Sequence, residues 1–228
     1  RAEGCGQDMF SQFATAEFED GSLMSVEAVV DHMNFLMMAA HDTITSSATS
    51  LVHLLAKNPD WQERLREELR AVTNDGGDLA YEDLARPELT EMAFKEALRM
   101  VPPVPSIPRR ALKSFEFGGY TIPAGARVGI NPHLVHHMEE RWPDPDRFDP
   151  DRFSPQNVKA RDRWHYLPFA GGSRSCIGEH FARLETTLAL ATIVRSLRVS
   201  SRESEFPVDV PFTTVAHGPI PAHVTPRS

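Results

Sequence analysis

The sequence predicts a mainly α-helical protein with a small β-sheet region, and three features of its 228 residues carry that prediction. Apolar residues recur at helical spacing from about residue 25 to residue 57, which indicates a long helix. Twelve of the 18 prolines lie between Pro87 and Pro168, so most of that region cannot be continuous helix. Within it, Gly118-Gly119 separates two short segments at 113–117 and 120–123, a pattern that is typical of a β-hairpin.

Capping and turn residues set the expected boundaries of the elements. Ser25 is the predicted N-cap of the long helix, and Asn58-Pro59 ends it. Its Phe35–Ala40 segment is apolar on every face, which predicts an interior location. The remaining expected segments are a poorly patterned stretch (4–21), two helices (59–72 and about 87–100), a sheet and connector (about 108–155, with a strand at 127–131), a helix (about 179–197) and C-terminal strands (about 208–225).

Composition limits the class of protein. There are 24 basic and 32 acidic residues, and the resulting net charge of −8 disfavours nucleic acid as a partner. The two cysteines are too few for a disulfide framework and fit a reducing compartment, so a cytoplasmic location is expected. The chain begins at Arg1, and membrane anchoring through a missing N-terminal part stays open.

One cysteine stands out by its surroundings. Cys176 lies in a glycine-rich run, 169–178, directly before the pattern of the last helix. Unpaired N–H groups and the helix dipole at a helix N-terminus favour a thiolate there. A single soft anionic ligand on a loop suits a metal that brings its own equatorial ligands, as haem iron does. The alternative is that Cys176 is a small buried hydrophobic residue, as most free cysteines are.

The run resembles the haem-ligand loop of the cytochrome P450 family. Phe169, Arg174, Cys176 and Gly178 match the family pattern, whereas Ser173 stands where many members carry Phe. The resemblance implies that Cys176 is the axial ligand of haem b (iron protoporphyrin IX) and that the three other matching residues help to bind the cofactor.

A second match concerns an ion pair. Glu96 and Arg99 share one face of the third helix because they are three residues apart, although exposed helices carry such pairs everywhere. A guanidinium directs about two of its N–H groups at one carboxylate, which can accept further hydrogen bonds, and Arg152 is the candidate for the second partner. The family has a similar pair with a later arginine, and the resemblance implies a structural network behind the haem rather than chemistry.

A third match lies in the long helix. Asp42 and Thr43 are an acid and an alcohol among apolar neighbours, and Thr43 can bond back to the carbonyl of Ala39. The segment resembles the family's oxygen-binding motif, with Ala40 in place of the usual Gly and Ile44 in place of a second alcohol. The resemblance implies that Asp42 and Thr43 deliver protons and that Ala39 adjoins the cofactor. The alternative is the solvated side of an amphipathic helix.

Other charged residues are weaker candidates. The family places a propionate-binding arginine about ten residues before the second Gly of the hairpin, which implies Arg109, with Arg110 and His165 as alternatives. The histidines at 133, 136 and 137 have no acid or thiol at metal-ligand spacing, so they are expected at the surface and no metal other than haem iron is predicted.

These motifs follow one another in family order, and the resemblance implies the C-terminal half of a cytochrome P450 domain, incomplete at its N-terminal side. The implied function is a haem-thiolate monooxygenase that inserts one oxygen atom of dioxygen into a small, mostly apolar organic substrate. The segments 104–107 and 216–218 match substrate-lining regions of the family. Two alternatives stay open: a haem-thiolate peroxygenase or isomerase, and a non-catalytic fragment that cannot hold haem alone.

The implied enzyme needs electrons from another protein, either a ferredoxin or a flavin reductase, because no flavin, nicotinamide or iron–sulfur motif is recognisable in the sequence. Lys159, Arg161 and Arg163 form a predicted basic docking patch for an acidic donor.

Overall fold

The computed structural model describes residues 6–73, 77, 79–202, 206–210 and 213–227. It is mainly α-helical with small antiparallel sheets, so the predicted fold class is confirmed. Short 3₁₀ turns connect several elements, among them Pro150–Phe153 and Gly172–Arg174. The α-helices in the described part of the chain are α1 (Met9–Thr15), α2 (Val26–Lys57), α3 (Pro59–Val72), α4 (Glu88–Met100), α5 (Pro132–His136), α6 (Pro155–Ala160) and α7 (Glu179–Ser196).

The strands in the described part of the chain pair two by two, and these pairs are antiparallel. The segment 115–122 is the predicted hairpin, with Phe117 opposite Tyr120 across Gly118-Gly119, where both glycines have positive φ. The pairs are β1 (Ile107–Arg110) with β4 (Arg127–Ile130), β2 (Phe115–Phe117) with β3 (Tyr120–Ile122), β5 (Leu197–Ser200) with β8 (His223–Pro226), and β6 (Val208–Asp209) with β7 (Val215–Ala216).

The described residues form two compact units, with the division between Asp42 and Thr43. The first unit contains α1, a helix that the poorly patterned stretch 4–21 does not predict. Asp8 caps this helix by accepting a hydrogen bond from the Ser11 backbone N–H at 2.8 Å. A single β-bridge joins Glu17 and Leu23. Residues 4 and 5 lie outside the described part.

The long helix α2 begins as predicted, since Ser25 Oγ accepts a hydrogen bond from the Ala28 backbone N–H at 3.1 Å. The predicted interior location of Phe35–Ala40 is wrong, because Phe35 and Met37 are 56% and 70% exposed. The described residues leave this apolar segment uncovered. None of the described helices, α2 included, has the length and apolar character that a membrane crossing requires.

The hydrophobic core of the second unit lies where the C-terminal half of α2 and the helices α3, α4 and α7 converge. Burying these side chains contributes about 25 cal/mol per Å² of apolar surface removed from water. The buried members are Leu51, Leu55, Leu65, Leu69, Ala93, Phe94, Ala97, Leu98, Phe148, Leu190, Ala191 and Val194.

Candidate active site

The cysteine loop is closed by a backbone hydrogen bond. The Cys176 N–H donates to the carbonyl oxygen of Phe169 at 3.0 Å. Between them, Ala170 and Gly172 have φ values of 61° and 72°, so the chain reverses direction within a few residues. Gly178 is the N-cap of α7, and the Cys176 thiol is therefore presented directly before a helix N-terminus. The thiol is free and exposed.

Apolar side chains exposed near Cys176 fit an apolar group that the thiol would ligate. Gly178 has an ordinary φ of −88°, and a Cβ atom there would lie 3.8 Å from Cys176 Sγ, so the chain itself does not require glycine at this position. Ile177 and Phe181, one and five residues after Cys176, are 86% and 63% exposed. Arg174 is also exposed. In the described ranges, no three His, Cys, Asp or Glu side chains are grouped as a metal site.

The structure brings Glu96 and Arg99 together in a buried ion pair, with neither side chain exposed. Arg99 Nε and Nη2 donate to the two carboxylate oxygens of Glu96 at 2.7 and 2.9 Å. Arg99 also donates to the carbonyl oxygens of His136 and Pro145, at 2.8 and 2.6 Å. The Asp149 backbone N–H donates to Glu96 Oε1 at 2.9 Å. The pair thus joins α4 to α5 and to the connector that follows it.

Arg152 is the third member of this cluster. Its Nε lies 3.4 Å from Glu96 Oε1, which is an ion-pair distance, but the angles do not make it a hydrogen bond. Its Nη2 donates instead to the carbonyl oxygen of Asp144 at 2.8 Å. Burial raises the pKa of Glu96 above its ordinary value, and the hydrogen bonds and charge of Arg99 oppose that shift.

His136 is buried, so its predicted surface location is wrong. Its Nε2 accepts a hydrogen bond from the Leu167 N–H at 2.9 Å, and its ring packs against Trp142 and Tyr166. Burial, and next the charge of Arg99, lower the pKa of His136 to about 3. The imidazole is therefore neutral at pH 7 and joins the ion cluster to the segment that leads into the cysteine loop.

This buried histidine predicts a pH dependence of stability. Its pKa is about 3 in the folded chain against an ordinary 6.5, so the unfolded chain takes up the proton first as the pH falls. We expect the free energy of unfolding to decrease from pH 6.5 to pH 4, by on the order of 3 kcal/mol from this residue. Urea unfolding at several pH values measures the slope, which should flatten in His136→Gln and stay unchanged in the exposed control His223→Gln. If the free energy of unfolding depended on pH equally in both variants, His136 would not be the source of the pH dependence.

The Asp42 carboxylate is half exposed and lies against the preceding residue. Its Oδ1 is 2.9 Å from His41 Nδ1. Neighbouring residues on a helix do not ordinarily face each other, so spacing alone gives no signal of this contact. Ala39 is exposed. The carbonyl oxygen of Thr43 accepts a hydrogen bond from Ser47 Oγ at 2.7 Å, and the bond from the Thr43 hydroxyl to Ala39 stays a prediction.

Arg109 lies on β1 opposite Val128, and its Nη1 donates to the carbonyl oxygen of Pro108 at 2.9 Å. Its guanidinium is exposed, as a group that binds an external anion requires. Its role toward a propionate stays a prediction.

The predicted basic docking patch is incomplete. The Arg161 guanidinium stacks on the Trp142 ring at 4.1 Å from the centroid and donates to the carbonyl oxygen of Arg152. Because the Arg161 side chain lies against the Trp142 and Phe153 rings, its charge is not presented to a partner. Arg163 lies over the Trp164 ring at 4.4 Å.

The residues that precede the two segments expected to line a substrate pocket are hydrogen-bonded to each other. The backbone N–H and the hydroxyl of Thr214 donate to the carbonyl oxygens of Pro103 and Pro102, both at 2.8 Å. The segment 104–107 that follows α4 is thereby held beside the turn that follows β7.

Comparison with known proteins decides the family. The family model for cytochrome P450 matches residues 4–225. The chain belongs to the cytochrome P450 family. Solved cytochrome P450 structures agree: the cytochrome P450DA heme domain superimposes with a TM-score of 0.93 at 26% identity, over 100% of this chain and 50% of that one. A retinoic acid-bound cyanobacterial CYP120A1 gives a TM-score of 0.93 at 25% identity, over 99% of this chain and 52% of that one.

Curated members of the cytochrome P450 family are also similar in sequence. Human cytochrome P450 4X1 is 38% identical over 195 residues, which are 85% of this chain and 38% of that protein. A putative cytochrome P450 136 of Mycobacterium tuberculosis is 36% identical over 207 residues, which are 90% of this chain and 42% of that protein. The chain thus spans about two fifths of the length of these relatives.

Proposed function

We propose that this chain carries the haem-ligand side of a haem-thiolate monooxygenase. The observation that carries the proposal is the exposed Cys176 thiol on a closed, glycine-rich loop at the N-terminus of α7. Family membership supports haem as the group that the thiol ligates. When bound, haem supplies the activation of dioxygen.

Each site residue has a proposed part in binding or support. Cys176 holds the iron, while Phe169 and Gly178 frame the thiol. Arg174 and Arg109, both exposed cations, balance the charge of the haem propionates. Ala39 offers a small side chain beside the cofactor. Glu96, Arg99 and Arg152 stabilise the fold behind the Cys176 loop and touch no reacting atom. Their burial and ion pairing support this structural role.

Asp42 and Thr43 are proposed to hold water and move protons to bound oxygen. A hydroxyl that organises water for proton transfer contributes roughly 100-fold or more to a rate. In Thr43→Val we expect the product formed per electron pair consumed to fall about tenfold, while the carbon monoxide spectrum stays unchanged. Thr49→Val, on the same helix, is the matched control. It should form as much product per electron pair as the wild type does. A wild-type yield of product per electron pair in Thr43→Val would contradict the proposed part of the Thr43 hydroxyl.

The substrate proposed is a small, mostly apolar organic molecule, and electrons are proposed to come from a ferredoxin or flavin reductase. Retinoic acid, which the similar CYP120A1 structure holds, is the first probe. Turnover of the haem-loaded protein should require the electron donor. Turnover driven by peroxide alone would favour the peroxygenase alternative, and no uptake of haem would favour the non-catalytic fragment. A cytoplasmic location is part of the proposal and is supported by the low cysteine content.

A further inference from the structure

Four charged side chains join the first turns of α7 to α4. Arg183 Nη1 lies 2.9 Å from Glu91 Oε1, and its Nη2 lies 2.6 Å from Glu179 Oε1. Lys95 Nζ lies 2.8 Å from the same oxygen of Glu91. Each helix thus carries an acid followed by a base four residues later, the favourable order within a helix. Arg183 bridges the two helices because its planar fork reaches both carboxylates.

The two ends of this bridge differ in how firmly they are held. On α4, Glu91 is five residues before Glu96, whose buried pair with Arg99 fixes that helix to α5 and the connector. On α7, Glu179 is the first helical residue, and Gly178 and the exposed loop of Cys176 directly precede it. The bridge therefore connects a well-anchored helix to the start of the helix that presents the thiol.

We infer that Arg183 is a positioning residue for Cys176: by bridging Glu91 and Glu179 it holds the first turn of α7 against α4 and so fixes the loop that carries the thiol. The inference rests on the proposed function of Cys176 as haem ligand. The bridge is half exposed, and exposed ion pairs contribute modestly and are weakened by salt. A measurable but limited effect is therefore expected.

Hydrogen exchange of the 228-residue chain without haem tests the structural half of the inference. In Arg183→Met, backbone amides of residues 182–184, the first that donate within α7, should exchange about 2- to 5-fold faster than in the wild type. Glu91→Gln should give a similar change, and the double variant no more than either single one. Arg195→Met is the matched control, because Arg195 is also on α7 but donates to the Gly77 carbonyl at the far end. Unchanged exchange in Arg183→Met, or equally faster exchange in Arg195→Met, would contradict the claim that Arg183 holds the first turn of α7 against α4.

The spectrum of the haem-loaded, reduced and carbon monoxide-bound protein tests the positioning half. The fraction with a thiolate-type Soret band should fall in Arg183→Met, recover in part in Arg183→Lys, and match the wild type in Arg195→Met. A wild-type fraction in Arg183→Met despite faster exchange would overturn the positioning role alone. Absence of the thiolate band from the wild type would instead refute the proposed function, and with it the positioning role, while the exchange data would still decide whether the bridge exists.

Discussion

Replacing Glu96 by Gln is expected to lower the free energy of unfolding by about 3 to 5 kcal/mol, because it leaves the Arg99 guanidinium buried without a compensating charge. Neither side chain of the pair is exposed. Arg99 gives Glu96 two short hydrogen bonds, and the Asp149 N–H gives it a third. An amide offers one acceptor oxygen and directs an NH₂ group toward these donors, so at least one buried donor loses its partner.

Urea unfolding of the chain measures this loss of stability. Glu88→Gln is the matched control, since Glu88 is exposed in the first turn of the same helix and should change the free energy of unfolding by about 0.5 kcal/mol or less. If Glu96→Gln shifted the unfolding midpoint no more than Glu88→Gln does, the buried pair would not be the anchor of α4.

Replacing Cys176 by Ser is expected to reduce turnover of the haem-loaded protein on the order of 100-fold or more, because the hydroxyl is not ionised and does not donate electron density to the iron as a thiolate does. The thiol is exposed in the chain, so the same change should leave the free energy of unfolding without haem within about 0.5 kcal/mol of wild type. A loss of turnover without a loss of stability distinguishes a haem ligand from a buried core residue. Ser175→Ala, on the same exposed loop, should keep full turnover.

The features predicted best from sequence were those set by local periodicity and turn chemistry. The helical spacing of apolar residues predicted α2, and the paired glycines at 118 and 119 predicted the hairpin. The spacing of Glu96 and Arg99 placed them on one helix face, and the structure brings Arg152 to them. The capping Asp8 was an available signal for α1, although the apolar residues around it do not form an extended helical pattern.

The features that sequence reasoning missed depend on contacts between distant segments. His136 is one of three histidines within five residues. Its carbonyl oxygen is held by Arg99 and its ring by the Leu167 N–H, and these partners are 37 and 31 residues away. Arg161 is predicted in a basic docking patch with Lys159 and Arg163, yet its place on the Trp142 ring is set by tertiary packing. The Glu91–Arg183 bridge spans 92 residues and had no sequence signal.

The most direct test of a sulfur–iron bond at Cys176 is the absorption spectrum of the reduced, carbon monoxide-bound protein after loading with haem. A thiolate-type Soret band is expected in the wild type and in Ser175→Ala, and it should be absent from Cys176→Ser. Haem that binds the wild type without this band, or a band that survives in Cys176→Ser, would contradict the assignment of Cys176 as the haem ligand.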